Sequence, residues 1–147
     1  MSLTKKLIVI IPILWLGFLL SISFMEAWLK FQAEGVTQTI GLSIGRLVFA
    51  ALNKIEILFL IVLLVSSYKR YWHLKQKTLK RILISLFVIL LLQTFHLLPI
   101  LDQRANLIIN GENLPTTYFH FYYVLLEVVK VILLCVFTHQ TLTKYYG

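Results

Sequence analysis

A chain of 147 residues that is 59% hydrophobic and 14% charged, with a mean hydropathy of +0.86, is too apolar for a soluble globular domain, where about a quarter of residues are charged. Its formal net charge of +8 invites a nucleic-acid reading, but Lys69, Arg70, Lys75, Lys77, Lys80 and Arg81 crowd one short, acid-free connection between apolar runs, which points to membrane topology instead. The single cysteine, Cys135, excludes an intrachain disulfide and a CxxC redox pair, and there is no Asn-X-Ser/Thr acceptor.

Lys5 and Lys6 precede an apolar run over 7–24 that is longer than the about 7–15 residues of a signal-peptide core. It leads straight into Glu26-Ala27-Trp28, so a retained first helix over about 7–28 is expected, although Ser21-Ile22-Ser23 resembles a cleavage site. Pro12 predicts a modest bend, and Gly17 with Ser21 forms a small-xxx-small pair suited to close helix approach. A second helix is expected over about 47–67, starting as early as Leu42. A third covers about 82–101, with Pro99 near its end, and a fourth about 118–138, announced by Pro115 and two threonines. Each approaches the roughly 20 residues that cross a hydrocarbon core. The expected fold is therefore all-α, an integral membrane protein with four transmembrane helices in an up-down-up-down bundle, a single membrane domain over 1–147.

By the positive-inside rule the basic connection over 68–81 is cytoplasmic, which puts both termini inside, in agreement with Lys5, Lys6 and Lys144. A bacterial inner membrane is the expected location. Tyr68, Tyr71 and Trp72 on one side, and Trp28, Tyr118, Tyr122 and Tyr123 on the other, fit aromatic belts. The expected partners are membrane lipids, with a homo-oligomer or a partner membrane protein as further candidates, and no nucleic acid.

Each expected helix also carries a polar stripe. Arg46, Phe49, Asn53 and Glu56 recur at i, i+3, i+7 and i+10, and His120, Tyr123, Glu127 and Lys130 repeat that spacing; at about 100° per residue each set shares one face. Gln93 and His96 lie three apart on the third helix, and Ser23, Glu26 and Lys30 mark the first. At about 1.5 Å per residue, Glu56 and Glu127 fall near the midplane, and Asn53, His96, Glu26, Arg46 and His120 lie progressively outward. A charge at the centre of a lone helix costs about 2.5–3.5 kcal/mol on insertion scales, so such residues are expected to pair inside the bundle. The expected pairs are Glu26 with Arg46, Glu127 with a cation from the second helix, and Glu56 with Lys130. Three acids (Glu26, Glu56, Glu127) against three bases (Arg46, Lys54, Lys130) would make the cluster neutral.

Several functions fit such a cluster. It can be a satisfied polar network that fixes helix pairing, giving a structural or assembly protein with no ligand. It can bind a small polar or cationic ligand or a metal ion through Glu26, Arg46, Asn53, Glu56, Gln93 and Glu127, in a transport-accessory role. His96 and His120, at similar depth on adjacent helices, suit axial ligation of a b-type haem in a redox subunit, or a metal ion. Gly41-Leu42-Ser43-Ile44-Gly45 spells G-x-S-x-G but lacks the strand–turn–helix context that a serine nucleophile needs. It reads instead as a GxxxG packing step into the second helix, and no residue pattern marks the chain as an enzyme.

Trp15-x-Gly17, Glu26-Ala27-x-x-Lys30-Phe31 and Gly41-x-x-x-Gly45-Arg46-x-x-Phe49-x-x-x-Asn53 together resemble the transmembrane-protein-205-like family of small four-helix membrane proteins. Glu26 departs from that pattern, in which a small or apolar residue is expected. The resemblance covers the first two helices and implies a four-span α-bundle without an established reaction.

Overall fold

The computed structural model describes residues 2–71 and 76–146, and the side chains of these except residues 69–71 and 146. Trp72, His73 and Lys75 of the basic connection, and the side chains of Lys69, Arg70 and Tyr71, lie outside the described residues. Four long helices make up the rest: α1 (Leu3–Gln32), α2 (Gln38–Tyr71), α3 (Lys77–Ile109) and α4 (Phe119–Tyr146). Among the described residues there is no strand. All four are long and apolar enough to cross a membrane.

The helices outrun their expected boundaries, α4 only at its C-terminal end, because polar residues at the ends continue the helical backbone instead of opening a loop. The connections that remain have recognisable chemistry. The Thr37 hydroxyl accepts a hydrogen bond from the Ile40 backbone N–H at 3.3 Å, a side-chain cap at the start of α2. Gly35 takes φ +80 in the preceding turn. At the end of α3, Gly111 (φ +90) donates to the Ile108 carbonyl and Glu112 to the Leu107 carbonyl. This paired pattern needs a left-handed residue, and glycine adopts it without a Cβ penalty. The helix therefore includes Asp102, Arg104 and Asn106, which the sequence reading placed in a loop.

Two stretches are π-helical: Leu19–Glu26 within α1 and Gln93–Leu97 within α3. The second has a local cause. Pro99 lacks an N–H, and its ring crowds the carbonyl four residues back, at Phe95; a widened turn there accommodates it. Such insertions are concentrated at functional sites, and both of these face the interior through one buried polar side chain, Ser23 and Gln93.

The helices pack in a ring, α1 against α2 and α4, and α3 against the same two. An apolar core built on Ile8, Trp15, Leu19, Leu60, Leu63, Leu86, Leu134 and Phe137 draws mainly on the first halves of α1 and α3 and the second halves of α2 and α4. The outward faces are apolar as well: Leu47 is 73% exposed, Val65 72% and Phe95 76%. Charged Glu56, Glu127 and Lys130, by contrast, have no exposed surface. Charge buried beside an apolar core, with apolar side chains covering the outside, is the reverse of the surface pattern of a water-soluble bundle.

Candidate functional site

The interior polar groups fall into two layers. The deeper layer centres on Lys130 of α4. Its ammonium donates to Glu56 Oε1 of α2 at 2.5 Å and lies 2.9 Å from Glu127 Oε1, one turn back on its own helix. Trp15 Nε1 of α1 donates to Glu56 Oε1 at 2.8 Å. Gln93 Nε2 of α3 donates to Glu127 Oε1 at 2.8 Å, and Ser23 Oγ of α1 donates to Glu127 Oε2 at 3.1 Å. All four helices contribute to this one network. Since unpaired charges in a dry interior are costly, these contacts hold the charged trio in place.

Above it, toward the ends of α1 and α3 and the starts of α2 and α4, lies a pocket of about 610 Å³. Its polar lining includes Lys30, Arg46, Asn53, Lys54, Asp102 and His120, between apolar walls. Arg46 grips Asp102 through two bonds, at 2.6 and 3.0 Å, and donates a third to Asn106 Oδ1 at 2.7 Å. Two parallel bonds to a carboxylate fix the planar guanidinium in orientation. Lys30 pairs with Glu26 at 3.2 Å, and its ammonium lies 5.6 Å from the centre of the Phe49 ring. Asn53 bonds Thr94 across the α2–α3 interface at 2.9 Å. Gly45 makes room for Lys30: a Cβ there would stand 3.1 Å from its ammonium, and one at Gly41 would overlap the Phe31 ring. The GxxxG step is thus a close approach between α2 and the end of α1.

Tyr123 separates the two layers. Its side chain lines the pocket and is almost fully buried, with the ring packed edge-on against Phe49 at 5.6 Å. Its hydroxyl has no hydrogen-bond partner among the described residues.

Several expectations need correction. Arg46 pairs with Asp102, not Glu26, because α3 continues as helix past Pro99 and carries Asp102 to it. Glu26 is only half-buried and bonds Lys30, four residues on. Glu127 finds its cation on its own helix, in Lys130, whereas Lys54 of α2 is exposed at the pocket. The enclosed set is therefore two acids and one base, and the balance of three against three does not hold. His120 lines the pocket, but His96 is exposed and takes no part in it. The reason is the π turn: successive residues are separated by a smaller angle there, so His96 falls well away from the face that Gln93 occupies. The same effect moves Glu26 off the line of Ser23. His96 is not among the residues that line the pocket with His120, and no group of three His, Cys, Asp or Glu is placed to hold a metal among the described residues.

Of the expected ligand residues, Glu56, Gln93 and Glu127 meet in the deep layer, and Arg46 and Asn53 line the pocket. Trp15, Thr94, Asp102 and Asn106 were not anticipated as site residues. No spacing in the sequence ties Trp15 to Ser23, whereas Asp102 and Asn106 stand four apart on α3 and share a face. Compared with known proteins, the chain has no match: no protein-family profile, no curated protein and no solved structure is similar to it.

Proposed function

We propose that this chain is an integral membrane protein with four spans and cytoplasmic termini, whose pocket binds a small amphiphile with an anionic head, in a transport-accessory role. The observation that carries this reading is the pocket itself. A volume of about 610 Å³ falls within the 300–1,000 Å³ range typical of small-molecule sites, which combine apolar walls with a few placed polar groups. Lys30, Arg46 and Lys54 face Asp102 across the lining, and Glu26 balances Lys30, so the charge left over is positive. That balance favours an acidic head over the cation expected from sequence. Phe31, Leu42, Phe49, Leu98 and Leu101 supply the apolar wall for a tail.

The apolar outward faces and the four long apolar helices support membrane insertion. The basic residues between α2 and α3 support a cytoplasmic connection there, which would open the pocket toward the outer face. The resemblance to the transmembrane-protein-205-like family agrees with four spans and adds no reaction.

The test uses detergent-purified full-length protein and native mass spectrometry with three probes: dodecyl phosphate, dodecyltrimethylammonium and inorganic phosphate. Saturable binding of one dodecyl phosphate, weakened by Arg46→Ala, is the expected result. Preference for the ammonium amphiphile would overturn the assignment of an anionic head, and binding of inorganic phosphate alone would remove the tail from it.

A further inference from the structure

The deep layer is short of one positive charge. With all groups ionised, Glu56, Glu127 and Lys130 carry two negative charges and one positive, and none has exposed surface. The side chains bonded to the two carboxylates from the other helices are neutral: Trp15 and Ser23 from α1 and Gln93 from α3. Tyr123 of α4 is the remaining titratable group at this level. The other charged residues of the region, Lys30 with Glu26, Arg46 with Asp102, and exposed Lys54, belong to the pocket and its rim. A net charge enclosed in this way is strongly disfavoured unless something neutralises it.

The hydrogen bonds locate the deficit. Both oxygens of Glu127 receive donors, and Glu56 Oε1 receives two, from Lys130 and Trp15. Glu56 Oε2 is buried and meets no donor. Gln93 Oε1 is likewise buried and unpartnered, a spare acceptor in the same layer. Buried polar atoms normally find partners, so a carboxylate oxygen without a donor, in a cluster with one acid too many, is where a proton belongs. A single proton on Glu56 Oε2 supplies the charge and turns the unpartnered oxygen into a hydroxyl.

We propose that the Glu56–Lys130–Glu127 cluster is a proton-binding site that holds one proton on the Glu56 carboxyl at neutral pH and exchanges it with the pocket past Tyr123. The proton comes from water in the pocket and returns there, and no other bond is made or broken. The site stands on the charge count and the orphaned oxygens, independently of which ligand the pocket takes. Tyr123 is the one cluster residue that also lines the pocket, which makes its hydroxyl the relay.

Infrared spectroscopy of the full-length protein in lipid nanodiscs reads the proton directly, through the carbonyl stretch of a protonated carboxylic acid and its downshift in D2O. The wild type at neutral pH should show one such carboxyl per chain. Glu56→Gln should abolish the band, and Lys130→Met should double it, because both acids then lack a cation. Exchange into D2O should be slowed in Tyr123→Phe. Absence of the band in the wild type overturns the proposal whatever the variants do, and a band that survives Glu56→Gln overturns the assignment to Glu56. A band that vanishes when sodium replaces potassium at constant pH would identify a cation site and overturn it equally.

Discussion

Glu56 on α2 and Lys130 on α4 meet across the bundle with 2.5 Å between Oε1 and Nζ, and neither side chain has exposed surface. α2 and α4 each pack mainly against α1 and α3, so this hydrogen bond ties together two helices that are not ring neighbours. A second carboxylate, Glu127, leans on the same ammonium. One base serves two acids, and that inequality governs what substitutions should do.

Removing the base is the damaging change. Lys130→Met leaves two enclosed carboxyls without a cation and removes the ammonium's contacts to both, each hydrogen bond to a charged group being worth about 1.5–3 kcal/mol. Glu56→Gln leaves one acid facing one base and should melt no lower than the wild type at neutral pH, whereas Glu127→Gln puts an amide that donates where both oxygens accept and should melt lower. Thermal melts in detergent check this; a Lys130→Met protein as stable as the wild type would contradict the reading.

The neutral donors to Glu127 carry a smaller, measurable share. Ser23→Ala deprives Glu127 Oε2 of its hydrogen bond, and Gln93→Met takes one of two donors from Oε1. A buried acceptor left unsatisfied costs about 1–3 kcal/mol, so Ser23→Ala should approach that range. Gln93→Met should cost less, because Lys130 still serves the same oxygen. The reverse order in denaturation experiments would argue against the hydrogen-bond assignments.

At the pocket, stability and binding should separate. Arg46 and Asp102 have side-chain exposures of 29% and 54%, and exposed ion pairs contribute at most about 1 kcal/mol. Arg46→Ala should therefore change the melting temperature little. It should also weaken dodecyl phosphate binding by about tenfold or more, since a hydrogen bond to a charged group is worth about 1.5–3 kcal/mol. Asp102→Asn frees the guanidinium and should tighten the same binding. Titrations that moved in the same direction for both variants would remove Arg46 from the site.

Orientation has its own measurement. A reporter fused after Gly147 should read as cytoplasmic, and one inserted in the α1–α2 turn near Gly35 as external. If the basic residues between α2 and α3 set this arrangement, replacing Lys69, Arg70, Lys75 and Lys77 with glutamine should yield a mixed population. An unchanged, uniform signal would show that other segments control insertion.

Hydrophobic runs and charge placement were enough to reveal four long helices, and the period of 3.6 correctly grouped Arg46, Phe49 and Asn53 with Glu56, and Tyr123 with Glu127 and Lys130, because α2 and α4 keep a regular α-helical turn along those stretches. On α1 and α3 the same counting misplaced Glu26 and His96, because the π segments there shift the helical phase. Partner choice was also beyond reach of the sequence. Whether Arg46 meets Glu26 or Asp102 depends on how far α3 runs beyond Pro99, and whether Lys54 or Lys130 serves the buried acids depends on which face α2 turns inward. Periodicity places a residue on its own helix, but only packing between helices determines which charges share a dry interior. Here that packing encloses two acids with one base and leaves Glu56 Oε2 without a donor.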